Sequence, residues 1–131
     1  ADAPYLDCAY KLMEYAGRPK LKSSEGKATW PGRKQVWRLC RDGKMIADRL
    51  TLEGDLQEGK PLLRRCMKGG IRLEQPEPLA DVRSRAAGEL ASLPEHLRKL
   101  EDSPPYPVEI SKKLKQLKED IEKEIAFVEK Q

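Results

Sequence analysis

Lys20, Lys22, Lys27, Arg33 and Lys34 lie in one run, interleaved with Ser23, Ser24, Thr29, Gly26 and Gly32. Cationic side chains, hydroxyls and the backbone N–H groups of a glycine-containing loop are the parts from which phosphate sites are built. The run Lys20–Lys34 therefore reads in two ways: as an anion-facing loop, or as a solvated approach to a hairpin carrying ordinary lysines. Other chemistry is thinly represented. The chain has no Gly-x-Gly-x-x-Gly, no Walker loop and no Gly-x-Ser-x-Gly elbow. A single histidine, His96, excludes a multi-histidine metal centre and, among charged neighbours, reads as a surface residue. Cys8, Cys40 and Cys66 lack metal-knuckle spacing and read as free thiols of a reducing compartment, with Cys40 and Cys66 buried in strands. No catalytic residue and no metal ligand is assigned.

The positive charge is local. The whole chain carries a formal +4, but residues 18–50 hold ten basic and three acidic groups while the remainder is nearly balanced. Clustered charge sets local potential more strongly than the net value does. Arg33, Lys34, Arg38, Arg41, Lys44 and Arg49 with Trp30 and Trp37 supply the parts of a small basic module for nucleic acid or a phosphate ligand. Against nucleic acid, aromatics are few and no recognised nucleic-acid motif is present.

The elements that must position this run are legible from periodicity. Residues 1–17 read as a lead-in and 18–75 as the basic loop followed by hairpins. Arg18–Lys22 is extended around Pro19, and 23–32 is a loop. Gln35–Arg41 and Lys44–Ala47 form a hairpin about Asp42-Gly43, which suits a type I′ turn. Leu50–Leu52 extends the sheet. A second hairpin joins 62–67 to 71–73 through Lys68-Gly69-Gly70. After Pro78, Leu79, Val82, Ala86, Leu90 and Leu93 recur at helical spacing, so 76–102 is a helical segment broken at Pro94, with one more short turn near Leu97 and Leu100. Residues 103–110 are a proline-rich connector. Ser111 caps a terminal helix over 111–131, striped by Leu114, Leu117, Ile121, Ile125 and Val128, with Lys115–Glu119 and Lys118–Glu122 on its outer face.

At 131 residues the chain holds one domain, and 38% apolar against 37% charged residues leaves little to fill a large enzyme interior. No apolar run reaches membrane-spanning length, and the first residues are not a signal peptide. With no initiator Met, the chain begins after processing or at a boundary in a longer polypeptide. A purely structural interaction domain, whose two amphipathic helices supply the contact surface, is a further alternative.

Residues 6–19, with Tyr10-Lys11-Leu12 and Gly17-Arg18-Pro19, precede Lys27-Ala28-Thr29-Trp30-Pro31-Gly32-Arg33-Lys34. The Gly69-Gly70 hairpin, the Leu79 helix, the Leu93-Pro94 break with Leu97-Arg98, and Tyr106-Pro107-Val108 follow in order. This succession resembles the C-terminal region of nicotinate phosphoribosyltransferase over nearly the whole chain. The resemblance implies an enzyme of several hundred residues with an irregular α/β barrel. Such an enzyme joins nicotinate to 5-phosphoribosyl-1-diphosphate with coupled ATP hydrolysis, in NAD biosynthesis. It implies ATP and Mg2+ as cofactors of the intact enzyme and none in this piece. It also implies a cytoplasmic location, a homodimer when intact, and the remainder of the same enzyme as partner. The family's phosphorylated histidine belongs to the barrel, and His96 does not match it. The expected fold is therefore α+β, a small antiparallel sheet of hairpins followed by two or three amphipathic helices. The chain alone is expected to be inactive, with Lys22, Ser24, Lys27, Thr29 and Lys34 facing substrate phosphates or a neighbouring domain.

Overall fold

Asp42 and Gly43 adopt φ of 51° and 72°, the paired positive values that a type I′ turn demands and that Asp-Gly supplies at low cost. Around this turn the strands Lys34–Arg41 (β3) and Lys44–Leu52 (β4) pair antiparallel. Two short strands precede them, Glu14–Tyr15 (β1) and Arg18–Pro19 (β2). The computed structural model describes residues 11–22, 28–99 and 102–128. The chain divides into two compact units, residues 34–111 and residues 1–33 with 112–131.

In the first unit, Lys60–Pro61 (β5) pairs antiparallel with β3, and Val108–Ile110 (β8) pairs parallel with β4, giving the order β5-β3-β4-β8. Pro61 is tolerated because it lies on an edge strand. The hairpin is as expected, and Leu50–Leu52 falls within β4 rather than in a separate piece. The stretch read as connector ends in β8. Pro107 holds Tyr106 extended, the Asp48 amide donates to the Pro107 carbonyl at 3.0 Å, and the Ser111 amide to the Leu50 carbonyl at 2.9 Å. The α+β class stands, with one parallel edge added.

The second hairpin is much shorter than expected: Met67–Lys68 (β6) and Ile71–Arg72 (β7), turning at Gly69-Gly70. Residues 62–63 are drawn off to β3 instead. The Leu62 amide donates to the Val36 carbonyl at 2.8 Å. The Gln35 side-chain amide accepts from the Leu63 N–H and donates to its carbonyl, both at 2.8 Å. Gln35 thus does for Leu63 what a paired strand would do.

Leu79–Ser92 (α1) starts after Pro78 and stops where Leu93, restricted by Pro94, turns extended. A 3₁₀ turn, Glu95–Arg98, follows. The core of this unit is small: Trp37, Met45 and Ala47 are buried with Thr51. The Trp37 indole N–H donates to Thr51 Oγ1 at 3.2 Å, and that hydroxyl donates to the Leu52 carbonyl at 2.8 Å. The apolar stripe of α1 does not join this core, since the helix has no buried residue.

In the second unit β1 and β2 form a hairpin about Ala16-Gly17. The Met13 carbonyl accepts from the amides of both Lys20 and Gly32 at 2.8 Å. The helix Lys112–Val128 (α2) begins directly after Ser111. Leu114 is completely buried, Leu117 and Ile121 are half-buried, and Ile125 and Val128 are exposed, so the stripe is covered only over the first half of the helix. Lys118 pairs with Glu122 at 3.3 Å and stands 5.2 Å over the Trp30 ring.

Two expectations about thiols need correction. Cys40, beside the turn that ends β3, and Cys66, in the segment before β6, are both exposed and free rather than buried. Cys8 lies outside the described residues, as do Leu100 and residues 129–131, the end of the stretch expected to be helical.

Candidate functional site

The phosphate-type run is closed at its base. The Thr29 amide donates to the Lys22 carbonyl at 3.0 Å, and Thr29 Oγ1 accepts the Lys22 amide at 2.9 Å. This reciprocal pair ties the two ends of the 22–29 loop side by side, as two partners of an antiparallel ladder would be. Thr29 is buried, and Pro31, two residues on, is fully so, while Lys22 is exposed. Ser24 and Lys27 lie outside the described residues. Lys34 belongs to the other unit, where it opens β3 opposite Leu52. Burial lowers its pKa from the usual lysine range. Among the five residues singled out, then, only Lys22 and Thr29 are seen to meet.

Much of the basic stretch is already engaged. Arg33 pairs with Glu14 at 2.9 Å, and Lys44 Nζ donates to the Ala91 carbonyl at 2.7 Å. Arg49 pairs with Glu109 at 2.7 Å and also donates to Gln57. Cations held this way are poorly placed to track a nucleic-acid backbone, which weakens the basic-module alternative.

The strongest electrostatic feature went unread in the sequence. Arg38 and Asp48 are direct cross-strand partners, and the guanidinium grips the carboxylate at both oxygens, Nε–Oδ1 2.9 Å and Nη2–Oδ2 2.8 Å. Arg38 Nη1 reaches Glu89 of α1 at 3.2 Å, Lys60 reaches the same carboxylate at 3.1 Å, and the Tyr106 hydroxyl donates to Asp48 Oδ1 at 3.1 Å. β3, β4, β5, α1 and the approach to β8 are thereby stitched at one point. The hydrogen bonds from Arg38 hold the Asp48 carboxyl below the usual range. The same bonds raise Arg38 beyond its ordinary value, and Lys60 first, with Arg38 among lesser contributions, lowers Glu89. Burial, then the Asp48 charge, pushes Tyr106 up to about 12.

Beside this network an apolar groove of about 650 Å³ is walled by Met45, Ile46, Pro94, Pro105 and Pro107, with His96 on its lining. Lys22, Thr29 and Lys34, the three candidates among the described residues, do not line it. Among the described residues no group of three or more His, Cys, Asp or Glu side chains is arranged to hold a metal ion. No helix among the described residues is long and apolar enough to cross a membrane.

Residues 55–118 match the family model of the nicotinate phosphoribosyltransferase C-terminal domain. The chain belongs to that family. It is 43% identical over 115 residues to nicotinate phosphoribosyltransferase pncB2 of Mycobacterium tuberculosis, an alignment covering 86% of this chain and 25% of that protein. It is 33% identical over 140 residues to the nicotinate phosphoribosyltransferase of Bos taurus, covering 87% of this chain and 26% of the relative. The crystal structure of human nicotinic acid phosphoribosyltransferase superposes with a TM-score of 0.75 at 27% identity, covering 86% of this chain and 26% of that one. The resemblance read from the residues is borne out, and so is the restriction to the C-terminal region. The chain spans about a quarter of the length of the curated relatives it matches. What this C-terminal domain contains, on the described residues, is a sheet pinned by Arg38–Asp48 and a loop pinned by Lys22–Thr29.

Proposed function

We propose that these residues are the C-terminal domain of a nicotinate phosphoribosyltransferase. Within that enzyme, which joins nicotinate to 5-phosphoribosyl-1-diphosphate with ATP hydrolysis, the domain braces the catalytic body and completes its phosphate-facing surface. The observation that carries this reading is the alignment at 43% identity over most of the chain but only a quarter of the relative. The domain contributes no catalytic nucleophile or acid–base group. Its share is electrostatic. The exposed Lys22 ammonium, at the mouth of a loop closed by Thr29, faces substrate phosphates, with Ser24 and Lys27 on the same loop and Lys34 beyond it. Cations in such positions stabilise a departing diphosphate. ATP and Mg2+ belong to the intact enzyme, the magnesium arriving on substrate phosphates. The rest of the same polypeptide is the partner, the intact enzyme is a homodimer, and it works in the cytoplasm.

Mass spectrometry of the native gene product tests this reading at its root. A polypeptide of several hundred residues, about three and a half times this length by the shares above, is expected. A mature product of 131 residues would overturn it.

A further inference from the structure

We propose that the Leu79–Leu90 edge of α1 is a docking surface for the part of the same polypeptide that precedes this domain. The inference rests on the reading of the chain as the C-terminal domain of a longer enzyme, and it says which face the missing body covers.

α1 has fourteen residues and buries none of them. It does touch its own unit, along one edge and at its last turn, where Lys44 donates to the Ala91 carbonyl. Glu89 bonds to Arg38 and Lys60, and Val82, two turns earlier, is half-buried. Leu79, Ala86 and Leu90 lie on a second edge, rotated from the first by roughly 70° at 100° per residue. Leu79 is 63% exposed and Leu90 60%. A helix whose apolar stripe is partly covered at Val82 but open at Leu79, Ala86 and Leu90 is held on one side and unfinished on the other. Arg83 lies among these residues, so the covering surface is apolar with an acidic group opposite Arg83.

The occupant follows from size. An edge of this helix, roughly 21 Å long, offers on the order of 200 Å². A stable complex between separate molecules needs about 800 Å² from each partner. Such a patch is too small to hold a second copy or a diffusing protein. It is sufficient for a segment of the same chain, whose tether keeps its effective concentration high. The relatives carry about three quarters of their length outside the region matched here, so the covering body is available.

Hydrogen exchange on the 131-residue chain and on the longer polypeptide tests the assignment. Amides of residues 81–92 are expected to exchange about ten-fold or more slowly in the longer protein. Equal rates would overturn the proposal. Leu79→Ser with Leu90→Ser is expected to leave the melting midpoint of the 131-residue chain within about 2 °C and to lower that of the longer protein by about 5 °C or more. Equal losses in both would mean the leucines pack inside this domain. Self-association of the 131-residue chain that the double variant abolishes would mean a second copy is the occupant. Either result overturns the proposal. These outcomes differ from failure of the underlying reading, which a 131-residue native product alone would announce.

Discussion

Asp48→Ala is expected to lower the unfolding free energy by about 3 kcal/mol, the low end for breaking a buried ion pair by removing one partner. Asp48 and Arg38 side chains are only 12% and 19% exposed, so solvent cannot take over the bonds that Asp48 made. The low end applies because Glu89 still holds one arm of Arg38. The Tyr106 hydroxyl loses its acceptor at the same time, while the backbone bond from the residue 48 amide to the Pro107 carbonyl survives the substitution. The measurement is urea denaturation, in which the midpoint falls while the slope stays unchanged. Asp48→Asn, which keeps an acceptor but not the charge, is expected to cost about half as much.

The same network sets the pH limits of stability. A carboxyl with a depressed folded pKa contributes stability that is present above its unfolded value, about 3.9. That contribution is lost as pH falls through the still lower folded value. Tyr106 has the opposite sign. Its folded pKa is raised to about 12, so its contribution is full below about pH 10 and lost as pH rises through 12. Wild type is therefore expected to lose stability at both ends, and Asp48→Ala to be flatter on the acid side.

Gly59→Ala is the second large effect, and it acts through geometry rather than charge. Gly59 sits at φ +109°, and a Cβ there would lie 2.5 Å from the Arg38 backbone carbonyl oxygen and 3.1 Å from a Leu39 methyl. Backbone cannot yield as a side-chain tip can, and φ is unfavourable for any residue with a Cβ. Relief requires Gly59 to withdraw from β3, which detaches the adjoining β5 and the Lys60–Glu89 pair. The expected cost is about 3 kcal/mol. Calorimetry would read it as a melting midpoint lowered by roughly 10 °C or more. Gly54→Ala, with nothing within 4 Å of its added Cβ, is the control and is expected to be nearly silent.

Why some of this was legible and some not follows from the range of the interactions. The Asp42-Gly43 turn and both helices are local: the turn needs two adjacent residues at positive φ, and the helices declare themselves through their spacing. β8 is three residues long and is created by pairing with a strand some sixty positions away, so no periodicity in 103–110 signals it. The Arg38–Asp48 pair was hidden by a bulge. Counting back from the turn places Arg38 opposite Ala47, but the register slips between Leu39 and Cys40, and Arg38 faces Asp48 instead. The exposed thiols and the uncovered α1 edge share a different cause. A strand or helix pattern announces an apolar face, and it does not say whether the cover lies in the same stretch of chain. At the loop, residue types pointed to Lys22 and Thr29, whereas the two hydrogen bonds that join them are a tertiary fact.

On the reading proposed above, these residues complete an enzyme and do not constitute one. The most direct test of that reading is turnover of nicotinate with 5-phosphoribosyl-1-diphosphate, ATP and magnesium. The assay would use the 131-residue chain alone and the longer polypeptide that contains it. The expected result is formation of nicotinate mononucleotide by the longer protein and none above background by the 131-residue chain. Robust turnover by the 131-residue chain alone would contradict that reading.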